Sequence, residues 1–271
     1  GRAFTRRLLE LQWPERICIY SRGEHQQAAM AEEMRPLDPN GRLRFIIGDV
    51  RDRDRLRRAL HGVDAVVHAA ALKRIEVGQY NPGEMVKTNV LGAVNLIEAF
   101  QDEASTNPRP LMRCVFLSSD KAYQPVSPYG LSKAMAETLF LNANHTGGLH
   151  GPKFSVCRYG NIWGSNGSVF PKWRKLIEQG HQIVPVTDPD CTRFMMFARE
   201  AVDLVLKTIA TMKDGEIAIP DLPAYRLGDL ATAMGVEINV TGLPVWEKAH
   251  ESMDHLRRSD VARRMTVEEL R

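Results

Sequence analysis

An α/β fold, a doubly wound parallel sheet carrying a small C-terminal lobe, is predicted by three features of the sequence. Apolar runs of strand length (Arg16–Tyr20, Leu43–Ile47, Ala65–Ala71, Cys114–Leu117 and Phe154–Arg158) alternate with segments of helical periodicity. Polar or glycine-bearing segments follow the C-terminal ends of those runs, where open parallel sheets gather their ligands. The chain is 271 residues long, enough for one such sheet plus an appended lobe.

Composition narrows the class. With 44% hydrophobic and 25% charged residues the chain is globular, and its 36 basic residues are interleaved with 33 acidic ones for a net charge of +3. No basic tract points to nucleic acid, and no run of about 20 apolar residues points to a membrane. No signal peptide is visible, so a cytoplasmic location is expected. Cys18, Cys114, Cys157 and Cys191 are widely spaced, and the first three lie in apolar runs, which favours buried reduced thiols over disulfides or a metal site.

The chain opens with a helical pattern that places Phe4, Leu8 and Leu11 on one face. The strand Arg16–Tyr20 delivers Ser21 and Arg22 at its end. An arginine there can pair with the 2′-phosphate of a dinucleotide, so NADP is expected over NAD. Leu43–Ile47 leads into Gly48-Asp49-Val50, with Asp49 or Asp52 available to cap the next helix. Small residues Ala69, Ala70 and Ala71 let a ligand approach the backbone, and Lys73 follows them. One long helix is expected over Asn81–Phe100, with Asn89 inside it as structural support.

The most informative stretch is Cys114–Glu137. An apolar strand ends in Ser118, Ser119, Asp120 and Lys121, a proline-containing loop follows, and Tyr129 and Lys133 open a helix. Four residues apart is about one helical turn, so phenol and ammonium share a face. Taken alone, such a pair is more often one packed ring and one solvated amine. A near cation lowers a phenol, and a fall from about 10 to about 7 needs roughly 4 kcal/mol. The adjacent Asp120 and Lys121 form an acid and base pair if burial and Lys133 push Lys121 toward neutrality and a shielded site keeps Asp120 protonated. Further on come the Gly-rich loop Tyr159–Ser168, a helix over Val169–Gln179, Thr187, Arg193, a helix over Ala198–Met212, and Thr266 as a helix N-cap. Arg193 has the fork geometry to pair a diphosphate.

Ser119 with Tyr129-x-x-x-Lys133 resembles the extended short-chain dehydrogenase/reductases, and Asp120-Lys121 narrows the resemblance to the configuration-inverting UDP-N-acetylglucosamine 4,6-dehydratases. His68-Ala-Ala-Ala-Leu-Lys73, Arg158-Tyr-Gly-Asn-Ile-Trp-Gly-Ser and Thr192-Arg-Phe fit the same family. The resemblance implies a Rossmann-like NADP-binding domain over residues 1–158, with 194–213 returning to it, and a substrate-binding lobe from 159–193 and 214–271. It implies that Gly1 is the last glycine of a phosphate loop, so that the chain starts inside that motif, after the first strand. Ser119, Asp120, Lys121, Tyr129 and Lys133 would be catalytic, with Lys121 as base and Asp120 as acid. Gly1, Ser21, Arg22, Asp49, Val50, Ala69, Ala70 and Ala71, with Tyr129 and Lys133, would hold NADP. Lys73, Asn161, Thr187 and Arg193 would face a UDP-sugar. The family often assembles as homo-oligomers. Where it carries Gly-x-Arg-Pro-Gly-Glu-Lys-x-His-Glu, this chain has Pro244 and Trp246 in place of the arginine and second glycine. Alternatives on the same residues are a UDP-hexose 4-epimerase, another nucleotide-sugar dehydratase, or a non-catalytic nucleotide-sugar binder.

Overall fold

The computed structural model describes residues 1–110, 112–148, 151–165, 167–212 and 215–271. In chain order, α1 (Arg2–Glu10), β1 (Ile17–Ser21), α2 (Glu24–Met34), β2 (Leu43–Ile47), α3 (Arg53–Leu60) and β3 (Ala65–His68) make the first half of the main body. There follow α4 (Ile75–Tyr80), α5 (Pro82–Met85), α6 (Gly92–Thr106), β4 (Arg113–Leu117), α7 (Pro128–Thr146) and β5 (Lys153–Cys157). The remainder comprises β6 (Asn161–Ile162), α8 (Val169–Glu178), β7 (Ile183–Val186), β8 (Thr192–Met196), α9 (Ala198–Thr211), β9 (Ile217–Ala218), β10 (Ala224–Arg226), α10 (Leu227–Ala233), β11 (Glu237–Val240) and α11 (Val267–Leu270).

All pairings in the main body are parallel, in two ladders: β1–β2 and β3–β4–β5–β9. Parallel strands need crossover helices, and α6 and α7 supply them on one face. Phe100, Phe116, Phe140 and Phe154 interlock beneath that face, with Phe116 and Phe140 stacked at 4.8 Å. On the other face Val115 and Cys157 meet Val205 and Ile209 of α9. The lobe is built on β10–β8–β6 and the parallel pair β7–β11 around Trp173, Val184, Val186 and Leu230.

Several expectations need correction. β9 pairs with β5, so residues 217–218 belong to the main sheet, not to the lobe; the boundary at 213 and 214 falls outside the described residues, as does Asn166 of the Gly-rich loop. The helix expected over Asn81–Phe100 is interrupted: Val86–Leu91 forms a π-helical turn between α5 and α6. Cys18 is exposed, because alternation along β1 turns Ile17 inward and Cys18 out. Leu11 is exposed as well, since α1 stops at Glu10. Asp52, rather than Asp49, caps α3 by accepting from the Arg55 N–H at 2.9 Å. Among the described residues no helix is long and apolar enough to cross a membrane.

Candidate active site

The parallel ladders bring Ser21-Arg22, Asp49, Ala69–Ala71 and Ser118–Lys121 to the carboxyl ends of β1, β2, β3 and β4. Past β4 the backbone turns sharply. Ser119 caps a single 3-10 turn over Asp120–Ala122, accepting from the Lys121 N–H while its hydroxyl donates to Asp120 Oδ1 at 2.8 Å. Ser127 then caps α7 by accepting from the Gly130 N–H at 3.1 Å, with Pro128 preset for the first turn. A Cβ on Gly130 would lie 2.4 Å from the Lys121 carbonyl oxygen, so only glycine lets α7 pack this close to the Asp120–Ala122 turn. Tyr129 is thereby buried, with its phenol beside the Ser119 hydroxyl.

The charges are arranged in a way the sequence did not disclose. Lys121 Nζ lies 3.2 Å from Asp120 Oδ1, 3.1 Å from Glu251 Oε1 and 3.5 Å from Asn161 Oδ1. Lys248 reaches the same spot, 2.8 Å from Glu251 Oε2 and donating to the Tyr123 carbonyl at 3.1 Å. Burial pulls Lys121 down, but Asp120 and Glu251 outweigh it and hold the ammonium above its usual range. The expectation that burial and Lys133 neutralise Lys121 is therefore overturned for the resting protein. Burial and the Glu251 charge push the Asp120 carboxyl up, against the pull of Lys121, and its Oδ2 is buried without a partner. Burial opposes ionisation of Glu251, yet Lys121, Arg193 and Lys248 draw its carboxyl down to about 2.

Tyr129 and Lys133 also differ from expectation. Burial raises the Tyr129 phenol, and the cation acting on it is Lys121, not Lys133. The Lys133 ammonium instead donates to the Leu117 carbonyl and lies 4.0 Å over the Phe116 ring. Burial brings it down to about 7, with Glu137 opposing.

Behind the pair, Asn89 closes a polar tie from within the π-helical turn. Its amide accepts from the Leu72 N–H at 2.8 Å and donates to the Leu72 carbonyl and the Ser132 hydroxyl at 2.9 Å each. The tie locks the segment after β3 to the helix bearing Tyr129 and Lys133, and such turns recur at functional sites.

Arg22 lies 3.7 Å from Asp49 Oδ2, and Arg51 grips the same oxygen at 2.7 Å. Two guanidiniums thus meet at the ends of β1 and β2, where a ribose phosphate would sit. Ser21 accepts at Oγ from the buried Gln27 amide. Val50 turns its side chain into the core and Gly1 caps α1, so any contact these two make with a ligand is through the backbone. Ala69 is exposed while Ala70 and Ala71 are half-buried, leaving room over the end of β3.

Toward the lobe, the expected set divides. Asn161 joins the Lys121 cluster; Lys73 is exposed after β3; Thr187 ends β7 with a buried hydroxyl that has no partner. Arg193 is buried, donating to the Thr192 and Ala249 carbonyls and paired with Glu247, so its fork is engaged by the protein in this state. Glu247, Lys248 and Glu251 were missed as site residues. A cavity of 40 Å³ remains between Lys121, Arg193, Trp246, Lys248 and Glu251, room for water but not for a hexose.

Residues 1–270 match the sequence model of a family described as polysaccharide biosynthesis protein. An inverting UDP-N-acetylglucosamine 4,6-dehydratase of Campylobacter jejuni is 41% identical over 255 residues, 93% of this chain and 73% of that protein. Among solved structures, Pen from Bacillus thuringiensis superposes with a TM-score of 0.91 at 31% identity, over 100% of this chain and 93% of that one. The dTDP-glucose 4,6-dehydratase DesIV of Streptomyces venezuelae, with NAD and TYD bound, gives a TM-score of 0.80 at 23% identity, over 94% and 84% of the two chains, a likeness of fold.

Proposed function

The chain belongs to the polysaccharide biosynthesis protein family, and we propose that it catalyses the NADP-dependent, configuration-inverting 4,6-dehydration of UDP-N-acetylglucosamine in glycan or polysaccharide biosynthesis. One observation carries the reading: a buried carboxyl and a half-buried amine 3.2 Å apart, Asp120 and Lys121, beside a phenol at the end of β4. A 4-epimerase needs the phenol alone. An elimination needs an additional base for the C5 hydrogen and an acid for the departing C6 hydroxyl.

A bound nicotinamide supplies reversible hydride exchange with the sugar and is not consumed. Tyr129 accepts the C4 hydroxyl proton, and Ser119, whose hydroxyl neighbours the phenol, orients the sugar oxygen. Because burial keeps the resting phenol protonated, Tyr129 becomes a base only when a cation approaches; Lys121 acts on it now, and Lys133 serves if it leaves the Leu117 carbonyl. A ketone at C4 then acidifies C5.

The elimination pair needs no exchange with solvent. Transfer of one proton from the Lys121 ammonium to the Asp120 carboxylate turns an ion pair into an amine and a neutral acid, with the same proton count. The amine takes the C5 proton and the acid protonates the departing C6 hydroxyl, which leaves as water and restores the ion pair; a proton drawn from solvent and delivered to C5 on the opposite face then inverts the centre, and Tyr129 releases the proton it took from the C4 hydroxyl. Asn161, Lys73 and the unpartnered hydroxyl of Thr187 are the polar groups offered to the UDP-sugar. The Arg22 and Arg51 pair around Asp49 favours NADP.

The test is incubation of the protein with UDP-N-acetylglucosamine in heavy water, with NADP⁺ and NAD⁺ in parallel. Mass spectrometry is expected to show loss of one water and deuterium uptake at C5, faster with NADP⁺. A folded, cofactor-bound protein that leaves the mass unchanged, or only inverts C4, overturns the reading.

A further inference from the structure

Glu251 is a buried carboxylate, 2% exposed, that the proposed chemistry does not use. It stands between two primary amines, 3.1 Å from Lys121 Nζ and 2.8 Å from Lys248 Nζ. Its backbone is clamped: its N–H donates to the Ser259 hydroxyl at 2.8 Å, and its carbonyl accepts from the Ser259 N–H at 2.8 Å. Ser259 is in turn 2.6 Å from the Thr192 hydroxyl on β8. A carboxylate mounted this firmly beside the amine of a catalytic turn is more than a packing element.

Resting on the dehydratase reading, we propose that Glu251 is a positioning residue. It aims the Lys121 amine at Asp120 and keeps it in the ammonium form until substrate enters, with Lys248 moderating its charge. Every group facing Lys121 enters this balance. Asp120 and Glu251 favour the ammonium. Arg193 from β8 disfavours it, and Tyr129 from α7 and Tyr225 from β10 feel its charge. Asn161 from β6 is neutral. Among the described charged groups, Glu251 combines contact with Lys121 and freedom from the chemistry, so its removal lowers the proton affinity of the amine it touches and, less directly, that of Asp120, which its charge also holds up.

A purely structural pin predicts something else: loss of Glu251 would loosen residues 247–259 without altering the titration of Lys121. The deciding measurement is carbon NMR of ¹³C-labelled lysine in the full, substrate-free chain, with the Lys121 resonance assigned by its disappearance in Lys121→Ala. Glu251→Gln is expected to move the Lys121 titration down by about one to three pH units, and Glu251→Asp to leave it nearly in place. Should Glu251→Gln fail to fold, Glu251→Gln with Lys248→Met removes both charges together and is expected to give a smaller downward shift, since Lys121 contacts Glu251 directly. A folded variant of either kind whose Lys121 titrates as in the wild type overturns the proposal. Because the readout needs no substrate, its failure is distinct from failure of the dehydratase assignment. In turnover, the matching limb of the kcat profile is expected to move with the NMR titration.

Discussion

Two buried charge clusters fasten the C-terminal segment to the main body, and they are built on opposite terms. In one, Arg158 at the end of β5 grips Glu137 of α7 through two nitrogens and also donates to the Met253 carbonyl. Guanidinium and carboxylate match in plane and number, and the cluster is closed. In the other, Glu251 faces two primary amines, Asp120 keeps one oxygen without a partner, and a cavity adjoins. Both bury a carboxylate, Glu137 in one and Glu251 in the other. Open valence beside a cavity, rather than burial, is what separates a working cluster from a holding one.

Substitutions in each cluster test that distinction. Lys121→Ala is expected to lower kcat for dehydration by roughly 10²–10⁴-fold and to abolish deuterium uptake at C5, while cofactor titration is unchanged. Arg158→Met should do the reverse: it leaves Glu137 buried without a counter-charge and costs about 3–5 kcal/mol, read as a lower urea midpoint, with kcat of the folded fraction within a few-fold. Adding Glu137→Gln should recover much of that loss. If Arg158→Met instead stopped turnover without moving the midpoint, the division into working and holding clusters would fail.

Acid sharpens the contrast. Glu251 is drawn from 4.5 to about 2, so its contribution to stability is present above pH 4.5 and is lost as pH falls through 2. His68, buried between Phe116 and Phe140, is pulled from 6.5 to about 3 by burial and by Lys133. It stays neutral in the fold while the unfolded chain takes up a proton, so stability falls as pH drops from 6.5 to 3. His68→Phe should flatten the upper part of the acid unfolding curve, and Glu251→Gln the lower part.

How much of this was legible in the sequence depends on distance along the chain. Ser119, Asp120, Lys121, Tyr129 and Lys133 lie within fifteen residues, so strand end, turn and helical spacing disclosed their grouping. Lys133 was misplaced because spacing fixes a helix face but not a rotamer, and the Leu117 carbonyl and Phe116 ring hold its ammonium in this state. The pairing of Arg193 was not foreseen because its counter-ion, Glu247, is 54 residues away. Lys248 and Glu251 belong to a segment whose Pro244 and Trp246 drew attention to its divergence. The retained Glu247-Lys248-x-His250-Glu251 was the signal that could have found them. The π-helical turn at Asn89 was invisible because the four-residue spacing of Val86, Val90 and Val94 reads equally well as an α-helix.

The smallest effect concerns the far end of the same segment. Thr266 caps α11, accepting from the Glu269 N–H at 3.2 Å, while Glu269 accepts from the Thr266 N–H at 2.9 Å. The box anchors Met265 and Leu270 in the lobe core, whereas Glu251 hangs on Ser259 and Thr192, closer to β8. If those two anchors are independent, Thr266→Ala costs about 1 kcal/mol by loss of the cap and nothing in turnover. Denaturant titration gives the first number and the kcat profile the second. A shift of the Lys121-dependent limb in Thr266→Ala would mean that the lobe core and the Glu251 mount move as one body. The working cluster would then depend on packing fifteen residues farther along the chain.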